Sequence, residues 1–475
     1  MTIWFPLKYN EILFILQRHA YTVKLKDEIS GKYVEIGNYS PNLKIYVCGP
    51  TVYDKPHLGH LRTYVAYDAM VKYMRHRGRS VFYLQNITDI DDKIINRALE
   101  TGQDPLALSR KYTLDYMDAM KYAGVDSVNY YAMATHHIKD IIKQIKRLEK
   151  KGFTYTLPDG VYFRVWMLKN YGRLKHQSPE EQKTGARAKV AELKEDQRDF
   201  VLWKFKKEGE PSWRSPWGEG RPGWHIEDTA ISLSFFGSRF DLHGAGRDLL
   251  FPHNEAELSI MTALKNSENV CPAWSYTGML KINGEKMSKS LNNFIPVDDV
   301  MQKYSREEVR YAFLSSLYPT DLDFSWNMLE ESRKNISYIR RSYEKLEKHS
   351  QKGASVDVGS YRELLYRNMD DDFNTRIAIS ILMELASEIM KANSLDSESA
   401  NEAKKLFDDA NTFLGIIPEQ KEKGIPEQSV ESLLKLREIL RKKKLYPESD
   451  AIREALKNAG IIMEDGGNGT EWRRE

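Results

Sequence analysis

The chain runs through three hydrophobic rhythms. Residues 43–48, LKIYVC, form a short apolar run closed by Gly49-Pro50, which predicts a buried strand opening into a loop. Over residues 61–77 the apolar positions Leu61, Tyr64, Val65, Val71 and Met74 fall near helical spacing, and Gly78 supplies the stop. Residues 81–84 predict a second strand. Strand, loop, helix and strand make a βαβ unit, so the expected fold class is α/β, a doubly wound, Rossmann-like parallel sheet. The rhythm breaks between about 150 and 225, where KHQSPEEQKTGARAK precedes WKFKKEGEPSWRSPWGEGRPGW. Such a stretch is poor core material and predicts an inserted lobe. FDLHGAGRD and the apolar residues 249–251 predict a return to the sheet. From Ser305 onward the pattern is almost wholly helical, with Leu and Ile at i, i+3, i+4.

These rhythms divide the chain into an N-terminal extension (1–42), a first half of the Rossmann-like domain (43–145) and an inserted connective lobe (146–225). A second half with a lysine-rich loop (226–300), a helical region (301–358) and a helical C-terminal domain (359–475) follow. Residues 348–360 and 415–430 read as linkers.

Composition adds bounds. A length of 475 residues implies two to four domains. With 71 basic and 68 acidic residues the net charge is +3, which permits an anionic partner without demanding one. Two cysteines, Cys48 and Cys271, rule out a disulfide framework and fit a reducing, cytoplasmic setting. The N-terminal apolar residues are broken by Lys8, Asn10, Glu11, Gln17 and Arg18. They predict an extra helix or strand and no membrane span.

The candidate chemistry starts at Cys48–His60, CGPTVYDKPHLGH. His57 and His60 stand before a helix, whose N-terminus suits phosphate, and Gly59 allows close backbone approach. Taken alone, H-x-G-H reads equally as a turn with two surface histidines. In EKMSKS, Lys286 and Lys289 flank Met287-Ser288 after a Gly284 turn. Lysine is a mobile point charge suited to a phosphate that is gripped and released. His253 and Glu257, four apart, share a helical face and form either a metal pair or a surface pair. Asp248 follows Gly244-Ala245-Gly246 at a predicted strand end, where a carboxylate suits ribose hydroxyls. The tail carries a cationic run, Arg441 to Lys444, and a terminal Trp472-Arg473-Arg474, a combination suited to phosphate contacts and base stacking.

HLGH followed by KMSKS resembles the paired signatures of class I aminoacyl-tRNA synthetases. CGPTVYDKPHLGH, NITDIDDKI, RPGWHIE, DLHGAGRD and FPHNEAE together resemble the cysteinyl-tRNA synthetase family, in family order from about Ile45 to the C-terminus. The resemblance implies one Zn2+ held by Cys48, His253, Glu257 and a fourth ligand, at whose position this chain has Asp228 instead of the family's cysteine. Aspartate keeps the negative charge and is a competent zinc ligand, though a harder one. It implies that Thr88, Trp224 and His243 line an amino-acid pocket. ATP, with Mg2+, would then lie against Gly59, Gly244, Gly246 and Asp248, with Lys286 and Lys289 on its phosphates. Ala245 stands where the family often has a further glycine. The implied partners are L-cysteine, ATP and tRNA(Cys), and the implied state is a monomer. Two other readings remain at this point. One is a cysteine-activating ligase with a small amine acceptor, of the mycothiol-pathway type; the other is a non-catalytic tRNA-binding paralogue.

Overall fold

The computed structural model describes residues 22–37, 42–174, 193–237, 239–267, 270–287, 293–347, 349–418, 427–459, 461–466 and 469–474. Most of the N-terminal extension, part of the insert, and Lys289 lie outside the described residues. The chain forms two compact units, 1–417 and 418–475. The expected C-terminal domain, 359–475, spans the division between them.

In the first unit, β1 (Val23–Lys26) pairs antiparallel with β2 (Tyr33–Ile36), and Val23, Leu25 and Ile36 are buried. This hairpin is the described part of the N-terminal extension. Next come β3 (Asn42–Val47), α1 (Leu58–His76), β4 (Ser80–Ile87), α2 (Asp92–Thr101), α3 (Pro105–Tyr122), β5 (Tyr130–Met133) and α4 (Ile138–Lys150). The insert is a four-stranded antiparallel sheet of β6 (Thr154–Leu157), β7 (Gly160–Phe163), β8 (Phe200–Phe205) and β9 (Gly220–Pro222). The chain then returns through α5 (Trp224–Phe236), β10 (Leu242–Gly246), α6 (Glu255–Lys265) and β11 (Trp274–Thr277).

The central sheet has the order β11-β10-β3-β4-β5, all parallel. The chain moves outward from β3 through β4 to β5, then resumes on the other side of β3 with β10 and β11. Strand order therefore reverses between β3 and β10, which opens a crevice beyond their carboxyl ends. Cys48 follows β3 and Asp248 follows β10, so both stand at that crevice. Gly244 is required by close approach: a β-carbon there would lie 2.6 Å from the Tyr67 ring of α1.

Beyond the sheet come β12 (Leu280–Ile282) and β13 (Glu285–Lys286), joined through Asn283 and Gly284, both at positive φ. Then follow α7 (Val297–Met301), α8 (Arg306–Leu314), β14 (Leu322–Asp323) and α9 (Trp326–Lys345). Three further helices complete the unit, α10 (Val358–Asp370), α11 (Thr375–Lys391) and α12 (Ser397–Leu414). Arg310 of α8 is buried and ties these layers together. It donates to Asp68 of α1 at 2.8 Å and to the Leu414 carbonyl of α12 at 2.7 Å. Lys72, one turn along α1, also pairs with Asp68 at 3.0 Å, so the carboxylate is held by two cations.

The second unit contains α13 (Glu427–Lys442), α14 (Tyr446–Asn458) and an antiparallel hairpin, β15 (Ile461–Gly466) and β16 (Gly469–Arg474). Its core gathers Val430, Leu456 and Ile461, with Met463 and Trp472 packed against them. Trp472 is thus an apolar anchor of the hairpin.

Candidate active site and metal centre

A cavity of about 370 Å³ occupies the crevice. Its walls include Cys48, His57, Gly59, His60, Thr88, Trp224, Asp228, Gly246, Asp248, His253 and Lys286. These residues come from loops, helix starts and a strand up to more than two hundred positions apart, and the parallel sheet gathers them.

At one end the loop after β3 turns into α1. His57 is the N-cap of that helix and His60 lies inside its first turn, not in the preceding loop. The two rings stack at 3.7 Å between centroids, 18° from parallel. The His57 backbone N–H donates to His60 Nδ1 at 3.3 Å, which leaves the neutral ring's proton on Nε2. Burial holds both imidazoles toward the neutral form, and His60 is lowered to about 4. Neutral rings act as hydrogen-bond donors rather than cations. Gly59 fits because a β-carbon there would sit 3.0 Å from the His57 ring.

The segment leading into α7 docks on this loop. Leu58 N–H donates to the Ile295 carbonyl at 3.2 Å, and Val297 N–H donates to the Pro56 carbonyl at 3.0 Å. Lys55 of the histidine loop pairs with Asp298 of α7. Lys286 is exposed on β13 and reaches the cavity wall.

At the other end four candidate ligands converge. His253 and Glu257 keep their four-residue spacing, but His253 sits in an irregular turn before α6 rather than on the helix itself. Cys48 Sγ lies 3.5 Å from Glu257 Oε1, and His253 Nε2 lies 3.1 Å from the same oxygen. Asp228 Oδ2 is 2.9 Å from His253 Nε2. Cys48, Asp228 and His253 place one donor atom each within 4.8 Å of one another, as do Cys48, His243 and Glu257.

The electrostatics show what this cluster lacks. Burial, then Glu257 and Asp228, push the Cys48 thiol up. Burial, then Glu257, push Asp228 up. Burial alone would lower His253, but Asp228 and Glu257 lift it to about 10. Glu257 goes the other way: against burial, His243 and His253 hold it low, which leaves Cys48 and Asp228 as the acids that ionise only with added positive charge. A thiolate, two carboxylates and an imidazole match the ligand chemistry of a divalent ion, and the Asp228 oxygen faces the same point. The residues fit a zinc ion.

The surrounding groups hold this donor set. His253 Nδ1 pairs with His225 Nδ1 at 2.9 Å, which leaves Nε2 to face the ligands. Trp224 stacks on His253 with centroids 4.1 Å apart. Asn254 Nδ2 donates to Glu257 Oε1 at 2.6 Å and to Cys48 Sγ at 3.3 Å. The Tyr46 hydroxyl donates to Asp228 Oδ1. His243 does not line the cavity. It is fully buried, stacks on Trp274 at 3.9 Å, and its Nε2 lies 2.9 Å from Glu257 Oε2. Thr88 is buried at the end of β4, where its carbonyl accepts from Val52 N–H at 3.2 Å.

Tyr46, His225 and Asn254 are absent from the sequence-based candidates. Tyr46 carried a usable signal: two residues before Cys48 on a strand, it shares that residue's face. His225 and Asn254 were visible only as neighbours of Trp224 and His253.

Residues 36–334 match the family model of the tRNA synthetases class I (C) catalytic domain, 365–418 that of the DALR domain, and 425–473 that of the cysteinyl-tRNA ligase anticodon binding domain. Fold and site together thus define the class, a class I aminoacyl-tRNA synthetase. Among solved structures, methionyl-tRNA synthetase of Mycobacterium tuberculosis bound by methionyl-adenylate shares the fold with TM-score 0.60 and 14% identity, over 79% of this chain and 92% of that one. Cysteine–tRNA ligase of Thermoplasma volcanium is 47% identical over 91% of this chain and 95% of its own length. That of Thermoplasma acidophilum is 44% identical over 91% and 96%, and that of Dehalococcoides mccartyi 37% identical over 95% and 99%. The chain belongs to the cysteine–tRNA ligase family.

Proposed function

We propose that this chain joins L-cysteine to tRNA(Cys) in two steps through cysteinyl-adenylate. One observation carries the reading: Cys48, Asp228 and His253, a group able to hold a metal ion, open on the same cavity as His57, His60 and Lys286.

In the first step a carboxylate oxygen of cysteine attacks the α-phosphorus of ATP, and pyrophosphate leaves. His60, protonated on Nε2, and His57 donate hydrogen bonds to the phosphoryl oxygens as charge builds there. Lys286 holds the β- and γ-phosphates, taken as the Mg2+ complex. The sequence assigns Lys289 the same task, outside the described residues. Asp248 accepts hydrogen bonds from the ribose, beside Gly244 and Gly246. In the second step a ribose hydroxyl of the terminal adenosine attacks the activated carbonyl, and AMP leaves. No side-chain nucleophile takes part.

Cys48, Asp228, His253 and Glu257 would hold Zn2+, with Thr88 and Trp224 forming the amino-acid pocket around it. When bound, the ion supplies a soft Lewis-acid centre that prefers sulfur to oxygen, where pocket shape alone separates cysteine from serine weakly. His243 supports this site from behind, by holding Glu257 Oε2. The second unit would read the anticodon, an assignment supported by the match at 425–473. The same reading takes the chain as a cytoplasmic monomer; among the described residues no helix is long and apolar enough to cross a membrane.

Cysteine-dependent ATP–pyrophosphate exchange tests the first step, and charging of tRNA tests the second. Exchange that persists without cysteine, or with serine in its place, would overturn the substrate assignment.

A further inference from the structure

A lysine remains in the cavity that the two-step scheme does not use. Lys93 is the second residue of α2, directly after the TDID loop that leads out of β4. The Asp91 side chain accepts from its backbone N–H at 3.0 Å, which fixes the start of the helix. The side chain lines the cavity together with Cys48, Thr88, Trp224 and Asp228. Its Nζ stands over two aromatic rings, 5.5 Å from the centre of Tyr53 and 5.8 Å from that of Trp224. Nearby acids are engaged elsewhere: Asp92 pairs with Lys204 at 2.8 Å and with Arg221 at 2.5 Å, and Asp54 faces Arg97 at 3.7 Å. Among the described residues no carboxylate pairs with the Lys93 ammonium.

We infer that Lys93 is a substrate-binding residue that takes the α-carboxylate of the amino acid. This assignment rests on the cysteine-activating reading above. Position selects the anion. Trp224, one of the two rings under Lys93, stacks on His253, so the ammonium belongs to the metal end of the cavity. The phosphate-directed groups His57, His60 and Lys286 supply the nucleotide end. In cysteine the sulfur and the carboxylate are only three bonds apart, so sulfur held at Cys48, Asp228 and His253 leaves the carboxylate beside Trp224. The chemistry fits as well. A carboxylate needs a cation while it is an ion, and it loses that charge on becoming an acyl phosphate. A mobile ammonium resting on two rings can engage it and then let go.

The test uses the full chain with Lys93→Met and Lys93→Arg, in ATP–pyrophosphate exchange. The probes are L-cysteine and cysteinamide, which keeps the thiol and amine but lacks the carboxylate and acts as an inhibitor. Lys93→Met is expected to raise KM for cysteine by about tenfold or more, the scale of one lost charge-assisted hydrogen bond. Inhibition by cysteinamide should change less than about twofold, and Lys93→Arg should recover part of the cysteine affinity. Equal weakening of both probes would mean a structural role and would overturn the assignment. So would unchanged exchange with a defect only in tRNA charging, which would move Lys93 to the acceptor end. A wild-type chain without cysteine-dependent exchange would sink the parent reading itself, a result distinct from either of these.

Discussion

Asp228 Oδ2 and His253 Nε2 lie 2.9 Å apart as a buried pair. Both atoms face a point shared with Cys48, and the buried site around them has an excess of acids. In the proposed reading Asp228 is the fourth metal ligand. Asp228→Ala is expected to lower bound zinc below one per chain and to reduce the preference for cysteine over serine together. Metal analysis of the purified variant, with exchange run on both amino acids, checks this. Unchanged stoichiometry would remove Asp228 from the ligand set. Asp228→Cys should keep the metal.

His60→Ala should lower cysteine-dependent exchange by about a hundredfold, the scale of one lost donor to a developing charge. Its effect on stability should stay within about 1 kcal/mol, since the ring is half-buried at a cavity wall. Exchange kinetics and a denaturant titration of the same preparation separate the two effects. Survival of exchange within a few-fold would refute the phosphate role.

Acid should find the histidine pair as a weak point. In the unfolded chain an imidazole takes up its proton near 6.5, whereas folded His60 does so only near about 4. Proton uptake then favours the unfolded state, so this contribution to stability is full above about pH 6.5 and is lost as pH falls toward 4. The loss should be about 1–3 kcal/mol, given a cavity partly open to solvent. Comparing acid unfolding of the wild type with His60→Gln, which carries no ionisable ring, measures it. Identical pH slopes would contradict the lowered value.

Arg310→Met takes one of two cations from buried Asp68, which keeps Lys72 at 3.0 Å, and frees the Leu414 carbonyl. Unfolding free energy should fall by about 1–3 kcal/mol, read as a lower denaturant midpoint for the first unit. A double variant that also replaces Asp68 with Asn should recover part of the loss. No recovery would mean the pair is not the source of the cost.

Much of this was readable along the chain. The apolar run at 43–48 and the helical spacing at 61–77 correspond to β3 and α1, whereas the segment from about 150 to 225, read as poor core material, forms four strands that bury Phe163, Leu202 and Trp203 in a core. Boundaries shifted where tertiary contacts extend an element. α1 begins at Leu58 because His57 caps it, and β4 runs on to Ile87 because it is flanked by two strands. The C-terminal hairpin was not legible: Trp472 looked like a base-stacking residue, but it faces Met463 across the two strands and completes a small core.

The sequence by itself determined which chemistries were present: a thiol, paired imidazoles, mobile lysines, and a histidine and carboxylate at ligand spacing. Local rules suffice for that, since spacing, capping and turn residues act over a few positions. Only the tertiary structure decided which of these groups meet. Cys48 and His243 are 195 residues apart, and they approach because β3 and β10 are hydrogen-bonded neighbours at the point where strand order reverses. That packing also withdrew His243 behind the cavity, set Tyr46 against Asp228, and left Lys93 facing the pocket. Burial and mutual distance are properties of the assembled sheet, and no window of the chain contains them.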